Sequence, residues 1–137
     1  MELNLKSICL SWRFVMKKIL IIDDEPDILE LIKDILKNKY EVFTSTSVKE
    51  GFSILDRIKI DLIILDIMMP QMDGWDFLWL IRGNEKYRKI PVIIVTARAD
   101  AEDKLIGLKE GVKDYIVKPF LPNELISRVD EILEGKN

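Results

Sequence analysis

Short, almost uninterrupted runs of isoleucine, leucine and valine recur along the chain and predict strands that are buried on both faces. Runs of this kind, without polar alternation, are typical of a parallel sheet that is covered by helices. They lie at residues 19–22, 62–65, 92–95 and 115–117. A shorter and more polar segment at residues 40–44 has the composition expected of an edge strand.

Between the predicted strands, apolar residues recur at helical spacing and predict five helices. In the two clearest stripes, apolar side chains return every three or four positions. They consist of Ile28, Leu31, Ile32, Ile35 and Leu36, and of Leu125, Ile126, Val129, Ile132 and Leu133. Weaker stripes are formed by Val48, Phe52 and Leu55, by Phe77, Leu78 and Ile81, and by Ala101, Leu105 and Leu108. Pro26 and Pro122 occupy positions that a first helical turn accepts. The alternation predicts an α/β fold with an open, doubly wound parallel sheet of five strands.

Residues 1–15 do not follow this pattern, and we assign them to an N-terminal extension that precedes a domain at residues 16–134. Apolar and polar side chains alternate in the extension, which favours an extended arm with one apolar face. The apolar positions are Ile8, Leu10, Trp12 and Phe14. An equally good interpretation is translation from an upstream start, since Met16 would itself open the domain naturally.

Composition narrows the classes of function. The 137 residues are 48% apolar, which fits one domain. The net charge is −3, and the 21 basic residues are dispersed along the chain. The sequence therefore shows no basic cluster of the kind that binds nucleic acids. The chain has no histidine, which excludes histidine bases and histidine metal ligands. The apolar runs are far shorter than the roughly 20 residues that span a bilayer. With the single cysteine Cys9, these features predict a cytoplasmic protein without membrane contacts.

Polar residues follow four of the predicted strands at the point where each strand ends. Asp23 and Asp24 follow the first strand, Asp66 the third, Thr96 the fourth and Lys118 the fifth. Ligands of open parallel sheets bind at the carboxyl ends of the strands, so we expect these side chains to share one cleft. Oxygen donors without histidine or cysteine select a hard cation such as Mg²⁺. Carboxylates, a divalent cation and a lysine together suit phosphoryl transfer to an aspartate.

Four motifs resemble those of the receiver domains of two-component response regulators. They are Ile21-Ile22-Asp23-Asp24-Glu25, Leu65-Asp66-Ile67-Met68-Met69-Pro70-Gln71-Met72-Asp73-Gly74, Val95-Thr96-Ala97 and Val117-Lys118-Pro119-Phe120. The resemblance covers about residues 17–133. It implies the flavodoxin-like receiver fold, with strand order 2-1-3-4-5.

The resemblance also implies the roles of the acidic residues. Asp66 would accept a phosphoryl group from a histidine of a partner, either a sensor histidine kinase or a histidine phosphotransfer protein. Mg²⁺ would be bound directly by Asp24, mostly through water by Asp23, and by Asp66 and the backbone carbonyl of Met68.

The remaining site residues would couple phosphorylation to output. Lys118 would pair with the phosphoryl group, and its peptide bond to Pro119 is usually cis in the family. Thr96 would move toward a phosphoryl oxygen and let Tyr115 turn inward. The surface of the fourth helix, fifth strand and fifth helix would then change and regulate a downstream protein partner.

The sequence is compatible with two ways of passing the signal on. Because the chain ends at Asn137, shortly after the fifth helix, we expect a stand-alone receiver that acts by protein contact rather than on nucleic acid. A second resemblance, to receivers of winged-helix transcription factors, implies a homodimer on phosphorylation and makes an excised fragment of such a regulator the alternative. The charge-complementary dimer positions are Lys104 with Glu124, and Glu110 and Asp114 with Arg128.

Two features depart from the family pattern. Trp79 stands where receivers usually carry a polar or basic residue, and Trp75 precedes it by four positions, so the two form an aromatic pair on one side of the third helix. We expect this pair to receive the N-terminal arm or a partner, unless Trp75 packs over the site loop instead. Met68 and Arg98 occupy positions that influence the lifetime of the phosphoryl group in the family.

Each motif also has a purely structural interpretation. The acids at 23–25 favour the start of a helix, Asp66 suits a turn, Thr96 suits a helix N-cap and Lys118-Pro119 ends a strand. Their joint occurrence at strand ends favours the functional interpretation.

Three other functions fit the chain less well. A haloacid-dehalogenase-type phosphatase needs a second aspartate at the position of Met68. A flavodoxin-like binding module needs small or hydroxyl residues where the acids at 23–25 would repel a flavin phosphate. A receiver-like scaffold that is never phosphorylated would not need the full set of site residues.

Overall fold

The computed structural model describes residues 16–70 and 74–135, and in these ranges five strands alternate with five helices as predicted. The strands are β1 (Lys18–Ile22), β2 (Glu41–Ser45), β3 (Leu62–Leu65), β4 (Val92–Thr96) and β5 (Asp114–Val117). The helices are α1 (Pro26–Leu36), α2 (Val48–Arg57), α3 (Gly74–Arg82), α4 (Ala101–Lys109) and α5 (Pro122–Glu134). The predicted arm at residues 1–15 and the motif residues 71–73 lie outside the described residues.

All five strands run parallel in the order β2-β1-β3-β4-β5, which confirms the predicted doubly wound sheet. The three inner strands are buried throughout, apart from the partly exposed Lys18. β5 is the second edge strand, and only Ile116 in it is buried. The prediction that residues 115–117 are buried on both faces is therefore wrong, because the helix layers cover the edge less completely than the middle.

The helices form one layer on each face of the sheet. Ile19 and Ile21 of β1 pack with α1 and α5, whereas Leu20 and Ile22 pack with α2 and α3 on the opposite face. This alternation follows from the two-residue period of a strand. The two layers bury both faces of the inner strands, which leaves the carboxyl edge of the sheet as the place for polar groups.

Helix α4 packs through a different face from the one predicted. Leu105 and Leu108 are 59% and 71% exposed, while Asp103 and Gly107 are buried. A side chain at position 107 would meet Val112, since its Cβ would lie 3.1 Å from Cγ2 of that residue. The helix therefore packs through its smallest residue, and the predicted apolar stripe faces outward.

A smaller correction applies to α1. Leu31, which the sequence stripe included, is exposed, and Leu29 is buried in its place with Ile32 and Leu36. The buried face of the helix is thus rotated by part of a turn from the predicted one.

Candidate functional site

The carboxyl ends of three strands bring Asp23, Asp66 and Lys118 to one place. The backbone N–H of Asp23 donates to the carbonyl of Ser45 at 3.1 Å, and that of Asp66 donates to the carbonyl of Ile22 at 3.0 Å. These bonds extend the parallel ladder by one residue beyond each strand. The side chains of both aspartates are therefore held by the sheet rather than by a mobile loop.

The ammonium group of Lys118 lies between these acids. Its Nζ donates to Oδ2 of Asp23 at 2.7 Å and to Oδ2 of Asp66 at 3.1 Å, and it lies 3.5 Å from Oε1 of Glu25. Both aspartates are buried, and the lysine side chain is nearly so. The predicted convergence of Asp23, Asp66 and Lys118 in one cleft is found in the structure.

Each buried aspartate also accepts a hydrogen bond from a backbone N–H two residues later. Oδ1 of Asp23 accepts from the N–H of Glu25 at 3.0 Å, and Oδ1 of Asp66 accepts from the N–H of Met68 at 2.8 Å. The turn interpretation of Asp66 is thus correct in geometry. It does not compete with a chemical role, because the second oxygen of Asp66 faces Lys118.

Gly74 allows the start of α3 to lie directly against the loop after β3. A Cβ at this position would be 2.5 Å from Cα of Ile67 and 2.7 Å from the carbonyl oxygen of Asp66. Only glycine fits so close to the backbone of Asp66. The glycine that ends the second motif is therefore required for the position of that aspartate.

Four acidic residues form a cluster that suits a hard cation. Asp23, Asp24, Glu25 and Asp66 each offer a carboxylate oxygen, and these oxygens lie within 4.8 Å of one another. Oxygen donors of this kind fit Mg²⁺. Glu25 is not among the metal ligands that the resemblance implies, but its position directly after the aspartate pair is a usable signal in the sequence.

Negative charge is in excess at the site, where four carboxylates lie near one ammonium group, that of Lys118. Burial raises the pKa of Asp23 by more than its hydrogen bond to Lys118 lowers it. Burial also disfavours the charged form of Lys118, but the bonds and charges of Asp23 and Asp66 outweigh it and raise its pKa. The lysine therefore stays cationic, and the excess negative charge favours a second cation.

Thr96 ends β4 and is fully buried. Its hydroxyl oxygen accepts a hydrogen bond from the N–H of Arg98 at 3.4 Å. Helix α4 begins at Ala101 with Asp100 in the N-cap position. The interpretation of Thr96 as an N-cap is therefore wrong, because it precedes the N-cap residue by four positions.

Tyr115 lies on β5, half-buried, next to the loop that follows β4. Its hydroxyl donates to the carbonyl of Arg98 at 2.9 Å. Burial, followed by the charge of Asp103, raises the pKa of Tyr115 to about 12. The tyrosine is thus a neutral donor at physiological pH, and Arg98 lies between it and Thr96.

The predicted dimer residues are partly paired within the chain. Arg128 and Asp114 form an ion pair in which Nη1 and Oδ2 lie 2.5 Å apart. Lys104 and Glu124 are exposed, and no ion pair joins them within the described residues. The carbonyl of Glu110 accepts from Nε of Arg82 at 3.3 Å.

The predicted exposed aromatic pair on α3 is wrong. Trp75 is 6% exposed and belongs to the core with Ile67 and Phe77, whereas Trp79 is 53% exposed. Trp75 therefore packs beside the site loop, which was the alternative interpretation. Trp79 is exposed next to Leu80 instead.

Comparison with known proteins decides the family. The sequence model of the response regulator receiver domain matches residues 19–130. The chain belongs to this family. Its receiver domain is 45% identical over 113 residues to the regulatory protein VanR of Enterococcus faecium, covering 82% of this chain and 48% of VanR. It is 39% identical over 118 residues to the probable transcriptional regulator ycf27 of Porphyridium aerugineum, covering 85% of this chain and 48% of ycf27.

Solved receiver structures agree. The chemotaxis protein CheY4 of Vibrio cholerae is 30% identical, with a TM-score of 0.81, and the match covers 87% of this chain and all of CheY4. The receiver domain spans about half the length of the curated relatives that it matches. Receiver domains of this family belong to signalling proteins rather than to classical enzymes. Within residues 16–70 and 74–135, no helix is both long and apolar enough to cross a membrane.

Proposed function

We propose that the receiver domain accepts a phosphoryl group on Asp66 from a phosphohistidine of a sensor histidine kinase or phosphotransfer protein. The observation that carries this proposal is the position of Lys118, which binds Asp23 and Asp66 at the same time. An oxygen of Asp66 would attack phosphorus and form the O–P bond while the N–P bond to imidazole breaks. The electron pair of that bond stays on the nitrogen, and the ring leaves as neutral imidazole because its other nitrogen already carries a proton. The histidine of the reaction thus belongs to the partner, and this chain needs none of its own.

The acidic cluster fits Mg²⁺ as the resident cation. Asp23, Asp24 and Asp66 would hold it together with the backbone carbonyl of Met68, and Glu25 lies close enough to contribute an oxygen. When bound, Mg²⁺ offsets the repulsion between the nucleophilic carboxylate and the anionic phosphoryl group.

Lys118 and Thr96 would convert the new charge into a change of surface. Lys118 can exchange its bond to Asp66 for a bond to a phosphoryl oxygen, because its flexible side chain already points to that carboxylate. The hydroxyl of Thr96 would donate to another phosphoryl oxygen. Tyr115 would then leave the carbonyl of Arg98 and turn inward, and the surface of α4, β5 and α5 would present a new face to a downstream protein.

The chain would catalyse only its own phosphorylation and dephosphorylation. Met68 stands at the position where an aspartyl phosphatase carries its acid–base aspartate, so turnover of external phosphate esters is not expected. A cytoplasmic location and the absence of nucleic-acid contacts by residues 16–134 stay predictions.

A second candidate function is that of the receiver part of a winged-helix transcriptional regulator that dimerises on phosphorylation. Two observations favour it. The segment that matches this chain makes up only about half the length of the curated relatives. Leu105 and Leu108 are exposed on α4, near charged groups that could pair across a two-fold axis.

Intact-mass spectrometry after incubation with Mg²⁺ and acetyl phosphate tests the main proposal. We expect a gain of one phosphoryl group, with loss of acetate from the donor, and no gain in Asp66→Asn or after removal of Mg²⁺ by chelation. Asp76→Asn is the matched control, because Asp76 is an exposed aspartate in the first turn of α3. An equal gain in Asp66→Asn, or no gain in the wild-type protein, would refute the assignment.

A further inference from the structure

Helix α4 has a charged residue on the face that packs against the domain. Asp103 is buried there beside Gly107, while the leucines of the helix face outward. Burying a carboxylate is costly unless a partner compensates for its charge. The position of the helix therefore depends on that partner as well as on the close packing at Gly107.

The partner is Arg98, in the loop between β4 and α4. Its Nε lies 3.5 Å from Oδ2 of Asp103. The carboxylate is nearly enclosed, whereas the guanidinium group is partly exposed to solvent. The pair thus ties the first turn of α4 to the loop, with an energy small enough to be broken by a change in that loop.

The backbone of Arg98 contacts both side chains of the proposed switch. Its N–H donates to Oγ1 of Thr96 at 3.4 Å, and its carbonyl accepts from the hydroxyl of Tyr115 at 2.9 Å. One residue therefore reaches the threonine at the phosphorylation site, the tyrosine on β5 and the acid on α4. A movement of Thr96 cannot leave all three contacts unchanged.

The far end of α4 is held independently. Arg82, at the end of α3, donates from Nε to the carbonyl of Glu110 at 3.3 Å and from Nη2 to the carbonyl of Gly111 at 3.5 Å. Two further carbonyls, of Arg88 and Ile90, accept from its Nη1. Loss of the Arg98–Asp103 pair would therefore release the first turns of α4 while the last turn stays fixed.

We propose that the Arg98–Asp103 ion pair is a latch that holds α4 in its resting position and opens when Thr96 turns toward the phosphoryl group on Asp66. This proposal rests on the proposed function. Arg98 is a positioning residue in it, since its side chain acts on α4 and not on the reacting atoms. A broken latch should also speed phosphorylation, because it increases the population of molecules in which α4 is free to adopt the phosphorylated arrangement.

Hydrogen–deuterium exchange of the amides at residues 101–109, measured on the full chain, tests the latch. Without a phosphoryl donor, Asp103→Asn should speed exchange in the first turns of α4 about three- to fivefold, the size expected for loss of one partly exposed ion pair. In the wild-type protein, Mg²⁺ and acetyl phosphate should produce a similar increase. Glu102→Gln is the matched control, because it removes the same charge from an exposed position of the same turn.

A kinetic readout separates a latch from a merely structural contact. The rate of the phosphoryl mass gain from acetyl phosphate should rise severalfold in Asp103→Asn and in Arg98→Gln. In Arg98→Lys, which keeps a cation at this position, the rate should lie closer to that of the wild-type protein. The double variant should behave like either single variant, because both remove one shared interaction.

The outcomes are distinguishable. Faster exchange in α4 with an unchanged rate of phosphorylation, or exchange in Asp103→Asn equal to that of Glu102→Gln, would overturn the latch while the proposed function stands. No phosphoryl gain in the wild-type protein would refute the proposed function, and the latch with it.

Discussion

Nζ of Lys118 lies 2.7 Å from Oδ2 of Asp23, although 95 positions of sequence separate the two residues. The same ammonium group also binds Asp66. Since Asp23 belongs to the acidic cluster and Asp66 is the proposed phosphoryl acceptor, Lys118 is placed to respond to both a cation and a phosphoryl group. Substitution of Lys118 therefore tests both of these responses.

Lys118→Ala should retain Mg²⁺ binding but lose most of the phosphorylation-dependent change of the α4, β5 and α5 surface. Without Mg²⁺, the variant should also lose roughly 3 kcal/mol of unfolding free energy at pH 7, because two buried carboxylates lose their counter-charge. Calorimetry with Mg²⁺, exchange at residues 101–109 and urea unfolding measure these effects. Lys113→Ala, at an exposed position before β5, is the control. A normal surface change in Lys118→Ala would contradict the proposed role of Lys118.

The stability of the metal-free chain should depend on the charge of Asp23. Burial raises the pKa of this carboxyl group above the ordinary 3.8, so its ionised form is less favourable in the folded state than in the unfolded one. This cost is absent below pH 3.8 and is complete once the pH exceeds the folded-state pKa. Asp23→Asn should therefore be more stable than the wild type at pH 7 in the presence of a chelator, by on the order of 1 kcal/mol.

Thermal unfolding at several pH values measures this difference. The advantage of Asp23→Asn should shrink as the pH falls toward 3.8, because the wild-type carboxyl group is then protonated in both states. With Mg²⁺ the order should reverse, since the variant has lost one donor. A variant that is less stable than the wild type at pH 7 without metal would show that the bond to Lys118 outweighs burial.

Leu108→Glu tests the dimeric form of the output. The side chain is 71% exposed, so the substitution should change the unfolding free energy by less than about 0.5 kcal/mol. It should abolish any dimer that forms after phosphorylation, because a charge would then lie in the centre of the interface. Sedimentation velocity with and without acetyl phosphate measures the association. Leu31→Glu, at an exposed leucine of α1, should leave it unchanged.

The sheet and the site could be predicted from the sequence because their signals are local and consistent. Near-continuous branched residues mark the inner strands, and the residue after each run marks the carboxyl edge. Parallel strands place these residues side by side, so Asp23, Asp66 and Lys118 could be brought together without knowledge of any contact. The cis peptide bond between Lys118 and Pro119, expected from the resemblance, is also present.

The orientation of α4 and the burial of Trp75 could not be predicted in the same way. Spacing indicated that Leu105 and Leu108 would face the core, but the space left by Gly107 decided which face packs. The pair of Arg98 and Asp103 has no signature in a hydrophobic pattern, because it depends on how a loop and a helix meet. Burial of Trp75 likewise depends on its neighbours across the layer and not on its distance from Trp79 along α3.

Chemical mapping of the phosphoryl group identifies the aspartate that accepts it. After treatment with Mg²⁺ and acetyl phosphate, borohydride reduces an aspartyl phosphate to homoserine, which tandem mass spectrometry assigns to one position. We expect conversion at position 66 and at no other aspartate, and no conversion when Mg²⁺ is chelated. Conversion at another residue, or a Mg²⁺-independent reaction at position 66, would contradict it.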